Sequence, residues 1–227
     1  MDYKELLELG KSRRTTKAYN NSKKIKKENL EKIFEFAHTA PHTLGLDLVR
    51  IINFSKDSIY RQEINDRQLS FNKERSTQAS DIAVIITKTG DYVTKDNKEL
   101  IEARRKVVKY SLESQGKEFI DDENLLIRTV IEGDWALNGN NKEEWLARQS
   151  YIVLAYLLLG AKSLGIESTP VEGFSEDLTN YLRKKNLIEN NERATIVVYL
   201  GYSDGIENAY LGKKQLRKDI SEFIEFK

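Results

Sequence analysis

The chain of 227 residues contains no cysteine and only two histidines. Disulfides, thiolate catalysis and iron–sulfur ligation are therefore excluded, and a nucleophilic triad is hard to build. His38 and His42 have the spacing of two metal ligands on a helix, but Pro41 between them breaks such a helix. The sequence thus predicts no metal site, and any redox chemistry must belong to a bound cofactor.

An excess of charge of one sign is also missing. Lysine plus arginine is 37 and aspartate plus glutamate is 36, which gives a net charge of +1 and argues against a nucleic-acid partner. The longest apolar run, residues 151–161, has about half the roughly 20 residues that a membrane helix needs. The first residues contain no apolar segment of signal-peptide length. We expect a cytoplasmic protein with no membrane partner.

Apolar residues make up 39% of the chain, enough for the core of one domain. Helical spacing of apolar residues predicts a helix over 27–38 and an apolar, central helix over 142–165. Other helices are expected over 2–10 (ending at Gly10), 57–68, 97–118 and 175–185, and strands over 47–54, 82–87 and 194–200. This order indicates an α+β domain with a small central sheet covered by helices.

A basic segment near the start of the chain is a candidate phosphate site. Residues 13–18 hold three cations and two hydroxyls. In an extended chain Arg13, Thr15 and Lys17 project to one side, and together they could bind a phosphate and an adjacent polar ring. On spacing alone, a solvated basic loop is the favoured interpretation of this segment.

Three further segments are unusual for plain core structure. Residues 40–46 form a loop after a helix, and residues 72–75 stand just ahead of the strand at 82. In residues 169–174, Pro170 and Gly173 favour a fixed, open turn where backbone amides can face a ligand. Each segment alone is compatible with an ordinary loop. The Gly-x-Gly-x-x-Gly run of a dinucleotide fold does not occur.

In this order, the four segments resemble the nitroreductase family of FMN enzymes, most specifically in residues 13–19 and 149–174. The resemblance covers nearly the whole chain. It implies a three-layer α-β-α sandwich with a central, mostly antiparallel sheet, which forms a homodimer through long helices. It also implies a single domain over 1–227, a helical lid over 97–141 and a tail, 212–227, that reaches the partner subunit. Candidate stacking residues in the lid are Tyr110, Phe119 and Trp135.

The resemblance also implies cofactor-binding roles for the basic segment. Arg13 and Thr15 resemble the phosphate ligands, with Arg14 beside them, and Lys17 resembles the lysine near flavin N1 and the C2 carbonyl. Asn72 and Arg75 match contacts to the pyrimidine edge of the ring.

Three other segments complete the implied cofactor site. The turn against the ring face is matched by Pro170, Val171, Glu172 and Gly173. His42 and Thr43 match the loop that the second subunit contributes, although residues 43–49 depart from the family's Ser/Asn-rich loop and Gln-Pro-Trp. Near the C-terminus Lys213 matches a phosphate ligand, whereas Gln215 stands where a second cation is frequent and Arg217 could compensate.

The function implied by the resemblance is an FMN-dependent oxidoreductase. It would use NADH or NADPH to reduce nitroaromatics, quinones or related conjugated acceptors by ping-pong, two-electron transfer. Flavin N5 is then the reactive centre, no side chain acts as a nucleophile, and Lys17 supports negative charge on the reduced ring. Alternatives are a reductive dehalogenase, a flavin-consuming enzyme, a flavin-binding protein without turnover, or a helical module without flavin.

Overall fold

The computed structural model describes residues 2–131, 141–205 and 217–227. The strands are β1 (Val49–Ser55), β2 (Asp81–Lys88), β3 (Glu167–Val171) and β4 (Glu192–Gly201). The α-helices of these described ranges are α1 (Tyr3–Ser12), α2 (Lys27–His38), α3 (Arg61–Asp66), α4 (Asn72–Gln78), α5 (Lys98–Ser114), α6 (Glu123–Ile131), α7 (Lys142–Ser163), α8 (Asp177–Lys184) and α9 (Ile220–Phe223). Single 3-10 turns span Thr43–Gly45 and Gly90–Tyr92.

The four strands form one sheet in the order β1-β2-β4-β3, and each neighbouring pair is antiparallel. The central strand β2 is buried from Asp81 to Thr87, as its uninterrupted apolar sequence predicts for a strand covered on both faces. The β1 and β3 strands lie at opposite edges of the sheet. The strand order therefore determines which loops lie close together at each edge of the sheet.

Helices cover both faces of the sheet. On one face, Ile85 and Val198 pack with side chains of α2 and α7. On the other face, Val84 and Tyr199 pack with side chains of α3 and α8. Alternate residues of each strand therefore contribute side chains to two separate cores. The expected α-β-α layering is observed.

The two helices with the clearest periodicity are where the sequence predicts them. The α2 helix spans the predicted residues, with Leu30, Ile33 and Ala37 buried. The α7 helix ends two residues before the predicted end, and Gly165 beyond it has φ +69°, the left-handed conformation common after a helix. Although α7 is apolar and central as expected, it is not buried all round, because Tyr151 is 45% exposed and Ala155 is exposed as well.

Two expectations about local structure were wrong. Gly10 does not end α1, which continues to Ser12 and contributes no buried residue; one glycine costs a helix only about 1 kcal/mol. The segment 169–174 is not a turn throughout, because residues 169–171 belong to β3. Pro170 is tolerated there since β3 is an edge strand, and such strands can lack one N–H donor.

The region expected to form a lid contains α5 and α6. Leu100 and Val130 from these helices join a third core with Leu46, Trp145 and Leu146. Tyr110 is exposed and Phe119 is half-buried, whereas Trp135 lies outside the described residues. The lid role of 97–141 stays a prediction.

Among the described residues, no helix has both the length and the apolar character that crossing a membrane requires. The described part of the tail, residues 217–227, is exposed throughout. Its large apolar side chains Ile220, Phe223 and Phe226 all face solvent in the single chain.

Candidate active site

The basic segment lies along the outer edge of β3. Thr15 forms an isolated parallel bridge with Ser168, and the Thr16 N–H donates to the Ser168 carbonyl over 3.4 Å. The Thr169 hydroxyl donates to the Thr16 carbonyl over 2.6 Å. Parallel bonding to an edge strand holds this part of the segment extended, so it is not a freely solvated loop.

Side chains alternate along this extended segment, as predicted. Thr16 and Ala18 are buried, whereas Arg13, Thr15 and Lys17 are half-buried. The three predicted ligands thus share the accessible side of the backbone. Arg14 is different, because its guanidinium donates back to the carbonyl oxygens of Lys11 and Arg13.

Tyr19 fixes the far end of the segment. Its hydroxyl donates to the Tyr199 carbonyl over 3.1 Å and lies 2.7 Å from the Thr169 hydroxyl. Burial raises the pKa of this phenol, and the hydrogen bond with Thr169 opposes the shift. The backbone N–H of Tyr19 donates to Gln78, the last residue of α4. The segment therefore contacts both β3 and α4.

The α4 helix brings its first turn against residues 172–174. The Asn72 side-chain amide and the Leu69 N–H both donate to the Gly173 carbonyl, over 3.2 and 3.1 Å. A Cβ atom at position 173 would lie 3.0 Å from Nδ2 of Asn72, tighter than most carbon contacts. Glycine is the residue that fits this close approach without displacing Asn72.

Arg75 joins α4 to the basic segment. Its Nη1 atom donates to Oδ1 of Asn72 over 3.4 Å, and its guanidinium lies 4.4 Å from the ring centre of exposed Phe71. Burial lowers the pKa of Lys17, and the nearby charge of Arg75 lowers it further. Three predicted segments, two of which are joined by a hydrogen bond between residues 153 positions apart, thus converge at the β3 edge.

Residues 170–173 contribute to this edge in two ways. Val171 has its side chain in the core, so only its backbone can face a ligand. Glu172 follows the strand, is exposed, and accepts a hydrogen bond from the Tyr151 hydroxyl of α7. That bond, together with burial, raises the pKa of Tyr151 to about 12.

A buried arginine positions α4. The Arg61 guanidinium donates to the carbonyl oxygens of Ser76 and Ala79, both over 2.6 Å, at the end of that helix. It also donates to the carbonyls of Phe54 and Ser80, over 2.9 and 3.3 Å. Burial lowers its pKa to about 10, so it remains charged at neutral pH.

His42 and Thr43 lie elsewhere, at the β1 side of the sheet. The Thr43 N–H and hydroxyl both donate to Oε1 of Gln149 over 3.0 Å. Mostly buried His42 lines a cleft of about 310 Å³ with residues of α2 and β1, and its Nε2 lies 3.8 Å from Asp47. A single chain therefore does not bring this loop to the basic segment. Within the described ranges, no group of side chains is arranged to hold a metal ion.

Of the C-terminal candidates, Arg217 lies near the basic segment. Burial lowers the pKa of Arg13, and the charges of Arg217 and Arg14 lower it further. This proximity favours Arg217 as the compensating cation. Lys213 and Gln215 lie outside the described residues.

Sequence reasoning missed three residues of this region: Arg61, Tyr151 and Glu167. Nothing in the sequence indicates that Arg61 is buried, because one arginine in a polar helix resembles any solvated side chain. The bond between Tyr151 and Glu172 joins two elements whose relative position only the fold sets. Glu167 stands inside the segment 149–174 that carries the resemblance, and its position just ahead of the candidate residues 169–174 was the available clue.

Comparison with known proteins identifies the family. The model described as "Nitroreductase family" matches residues 11–202. The chain belongs to the nitroreductase family. A Staphylococcus aureus (strain USA300) protein provisionally named an NAD(P)H nitroreductase is 26% identical over 216 residues, which cover 93% of this chain and 92% of that protein. With the family match, this likeness shows that the chain is an oxidoreductase.

Solved structures of the nitroreductase family share the fold. A Bacillus subtilis protein provisionally named a nitroreductase superposes with a TM-score of 0.75 at 14% identity, and 100% of each chain is covered. Another from Exiguobacterium sibiricum, solved in complex with FMN, gives a TM-score of 0.68 at 16% identity, covering 100% of this chain and 98% of that one. The resemblance found in the sequence is thereby confirmed, as is the fold it implied.

Proposed function

We propose that this nitroreductase-family protein is an FMN-dependent oxidoreductase that takes electrons from NADH or NADPH and passes them to a nitroaromatic, a quinone or a related conjugated acceptor. The observation that carries the proposal is the convergence of residues 13–17, Asn72 with Arg75, and residues 172–173 at one sheet edge. A relative named for NAD(P)H and a similar structure containing FMN support the choice of co-substrate and cofactor.

The residues at this edge fit FMN by their chemistry. Arg13 and Thr15 supply a forked cation and a hydroxyl suited to a phosphate monoester. The close approach of Gly173 to Asn72 leaves a surface without a side chain, where a planar ring can lie against the backbone. Lys17 and Arg75 place positive charge between these two parts, as a ring that becomes negative on reduction requires.

Bound FMN would supply reversible two-electron chemistry that no side chain of this cysteine-free chain provides. The chain's own residues would bind and orient it. Arg13, Thr15 and Arg217 would hold the phosphate, Asn72 and Arg75 the polar edge of the ring, and Lys17 would stabilise negative charge there. Donor and acceptor would use the same open face in turn, which gives ping-pong kinetics.

The visible spectrum of the purified protein tests this function. We expect a yellow protein that bleaches under anaerobic conditions on addition of NADH or NADPH and regains colour when a quinone or nitroaromatic is added. A yellow protein that neither nucleotide bleaches would instead be a flavin-binding protein without turnover. A protein that stays colourless after reconstitution with FMN would refute the proposal, and product analysis would separate a dehalogenase or a flavin-consuming enzyme.

We also propose that the enzyme works as a homodimer in which His42 and Thr43 reach the partner's cofactor. Exposed apolar side chains of α1 and the tail, such as Leu6, Phe223 and Phe226, form apolar surface that a second copy could bury. Sedimentation equilibrium should then give twice the chain mass, and deletion of residues 219–227 should shift the equilibrium towards monomers. A monomer at all micromolar concentrations would contradict the shared site.

The α5 helix would be part of the same shared site. Arg104 donates to the Leu44 carbonyl over 2.9 Å, and a Cβ at Gly45 would lie 2.8 Å from Val107. The α5 helix therefore packs against the loop that contains Thr43. In the proposed dimer, this contact would place residues 97–131 of one copy beside the cofactor of the other, as a lid requires.

A further inference from the structure

Glu167 occupies a mostly buried position directly behind the basic segment. It is the first residue of β3, and its side chain is 14% exposed. One carboxylate oxygen accepts from Lys162 Nζ over 2.6 Å, and the other accepts from the Thr16 hydroxyl over 3.3 Å. The carboxylate therefore links the end of α7 to the residue between Thr15 and Lys17.

The surroundings of Glu167 are rich in positive charge. Arg13, Arg14 and Arg217 are close enough to one another that their charges, after burial, lower the pKa of Arg13, while Glu167 acts in the opposite direction and raises it. A carboxylate in this half-buried region interacts with the cations more strongly than it would in bulk water. It also repels any anion that the same cations bind.

We propose that Glu167 is an internal counter-ion of the basic segment, which competes with a bound phosphate group for its cations and thereby weakens phosphate binding. The phosphate is that of FMN if the proposed function holds, and in that respect the inference rests on it. The competition itself concerns any phosphate that Arg13 and Thr15 bind. Lys162 acts with Glu167, because it neutralises part of the carboxylate's charge from the side of α7.

Replacing Glu167 with glutamine removes the negative charge of the side chain and keeps its shape. Glutamine has the same size and keeps one oxygen that can accept from Lys162 or Thr16, so the packing is retained. Removal of one negative charge beside the cations that bind the phosphate should tighten phosphate binding about fivefold. Salt should diminish this gain, because it screens charges that are partly exposed.

The decisive experiment compares three ligands on the full chain after its cofactor has been removed. FMN and riboflavin are titrated by flavin fluorescence, and inorganic phosphate by calorimetry. We expect Glu167→Gln to tighten FMN and inorganic phosphate about fivefold and to leave riboflavin, which lacks the phosphate, unchanged. Loss of packing alone would weaken FMN and riboflavin together. Glu167→Asp keeps the charge and should bind FMN as the wild type does.

Two further variants test the direction of the change in phosphate affinity and provide a matched control. Lys162→Met leaves the Glu167 carboxylate unneutralised and should weaken phosphate binding, the opposite of Glu167→Gln. If Glu167→Gln does not fold, Glu167→Asn removes the same charge and should likewise tighten phosphate binding. Glu144→Gln breaks an exposed ion pair with Arg148 on the same helix and should leave the affinity for all three ligands unchanged.

The outcomes separate this inference from the proposed function. If neither wild type nor variant binds FMN, the proposed function fails, and the phosphate titration still decides the role of Glu167. Wild-type or weaker phosphate affinity in folded Glu167→Gln overturns the inference. So does a Lys162→Met variant that binds phosphate as tightly as the wild type.

Discussion

Replacing Lys17 with methionine is expected to slow reduction of the bound cofactor by NAD(P)H about 100-fold, while weakening cofactor binding much less. The reason is preorganisation. The bonds between residues 15–16 and β3 hold the backbone next to Lys17 in place, and the half-buried ammonium lies near Arg75. In the proposed site, a charge fixed in this place would stabilise the reduced cofactor more than the oxidised one. Methionine preserves the length of the side chain without that charge.

Stopped-flow loss of the cofactor's visible absorbance measures this rate, and fluorescence titration gives the affinity separately. Lys11→Met, which removes an exposed lysine paired with Glu8 on α1, is the control and should reduce at the wild-type rate. A Lys17→Met variant that also does so would show that the charge argument is wrong.

The pH dependence of reduction gives a second signature of Lys17. Burial and the charge of Arg75 place its pKa below the ordinary value of 10.5. In the proposed role of Lys17 only the protonated form supports reduction, so the wild-type rate should fall as the pH rises through that lowered pKa. The decrease should be absent from Lys17→Met, since this variant has no proton to lose at that position.

Replacing Arg61 with alanine is expected to lower the free energy of unfolding by about 4 kcal/mol. The change removes the donor to four backbone carbonyls at the ends of α4, β1 and β2. It also leaves a cavity where a buried side chain stood. Because these carbonyls are enclosed, water cannot readily replace the lost donors, and their desolvation adds to the cost.

Urea unfolding monitored by tryptophan fluorescence measures this loss. Arg61→Lys keeps the charge but cannot reach four carbonyls at once, so it should lie between wild type and Arg61→Ala. Arg148→Ala breaks an exposed ion pair with Glu144 and should change the unfolding free energy by less than about 1 kcal/mol. Stability of Arg61→Ala equal to that of Arg148→Ala would contradict the role assigned to Arg61.

Local patterns predicted the long elements because periodicity reports burial directly. Apolar residues of α2 recur at helical spacing, and β2 is apolar from Ile82 to Ile86 since both its faces are covered. The same reasoning failed where a single glycine or proline was taken as the end of a regular element. Gly10 suggested a helix end and Pro170 a turn, yet a helix tolerates one glycine and an edge strand tolerates one proline.

The candidate site was predicted in its parts, but its arrangement was not derivable from spacing. The alternation of Arg13, Thr15 and Lys17 follows from an extended chain, which hydrogen bonds to β3 enforce. Those bonds can form because β3 is an edge strand, with no other strand of the described residues on its outer side. The local sequence of residues 13–19 does not distinguish a segment bonded to a strand from a solvated loop. Only the family resemblance indicated the bonded segment.

By itself, the sequence determined that this chain forms an α+β domain without thiol or metal chemistry from cysteine, and that three cations stand together near its start. The tertiary structure decided that Lys17 lies near Arg75, whose helix contacts Gly173, that Glu167 lies next to the basic segment, and that His42 does not lie there within one chain. The physical reason is that periodicity depends on nearest neighbours along the chain. Strand order and the edge left unpaired depend on how whole elements bury their apolar faces together.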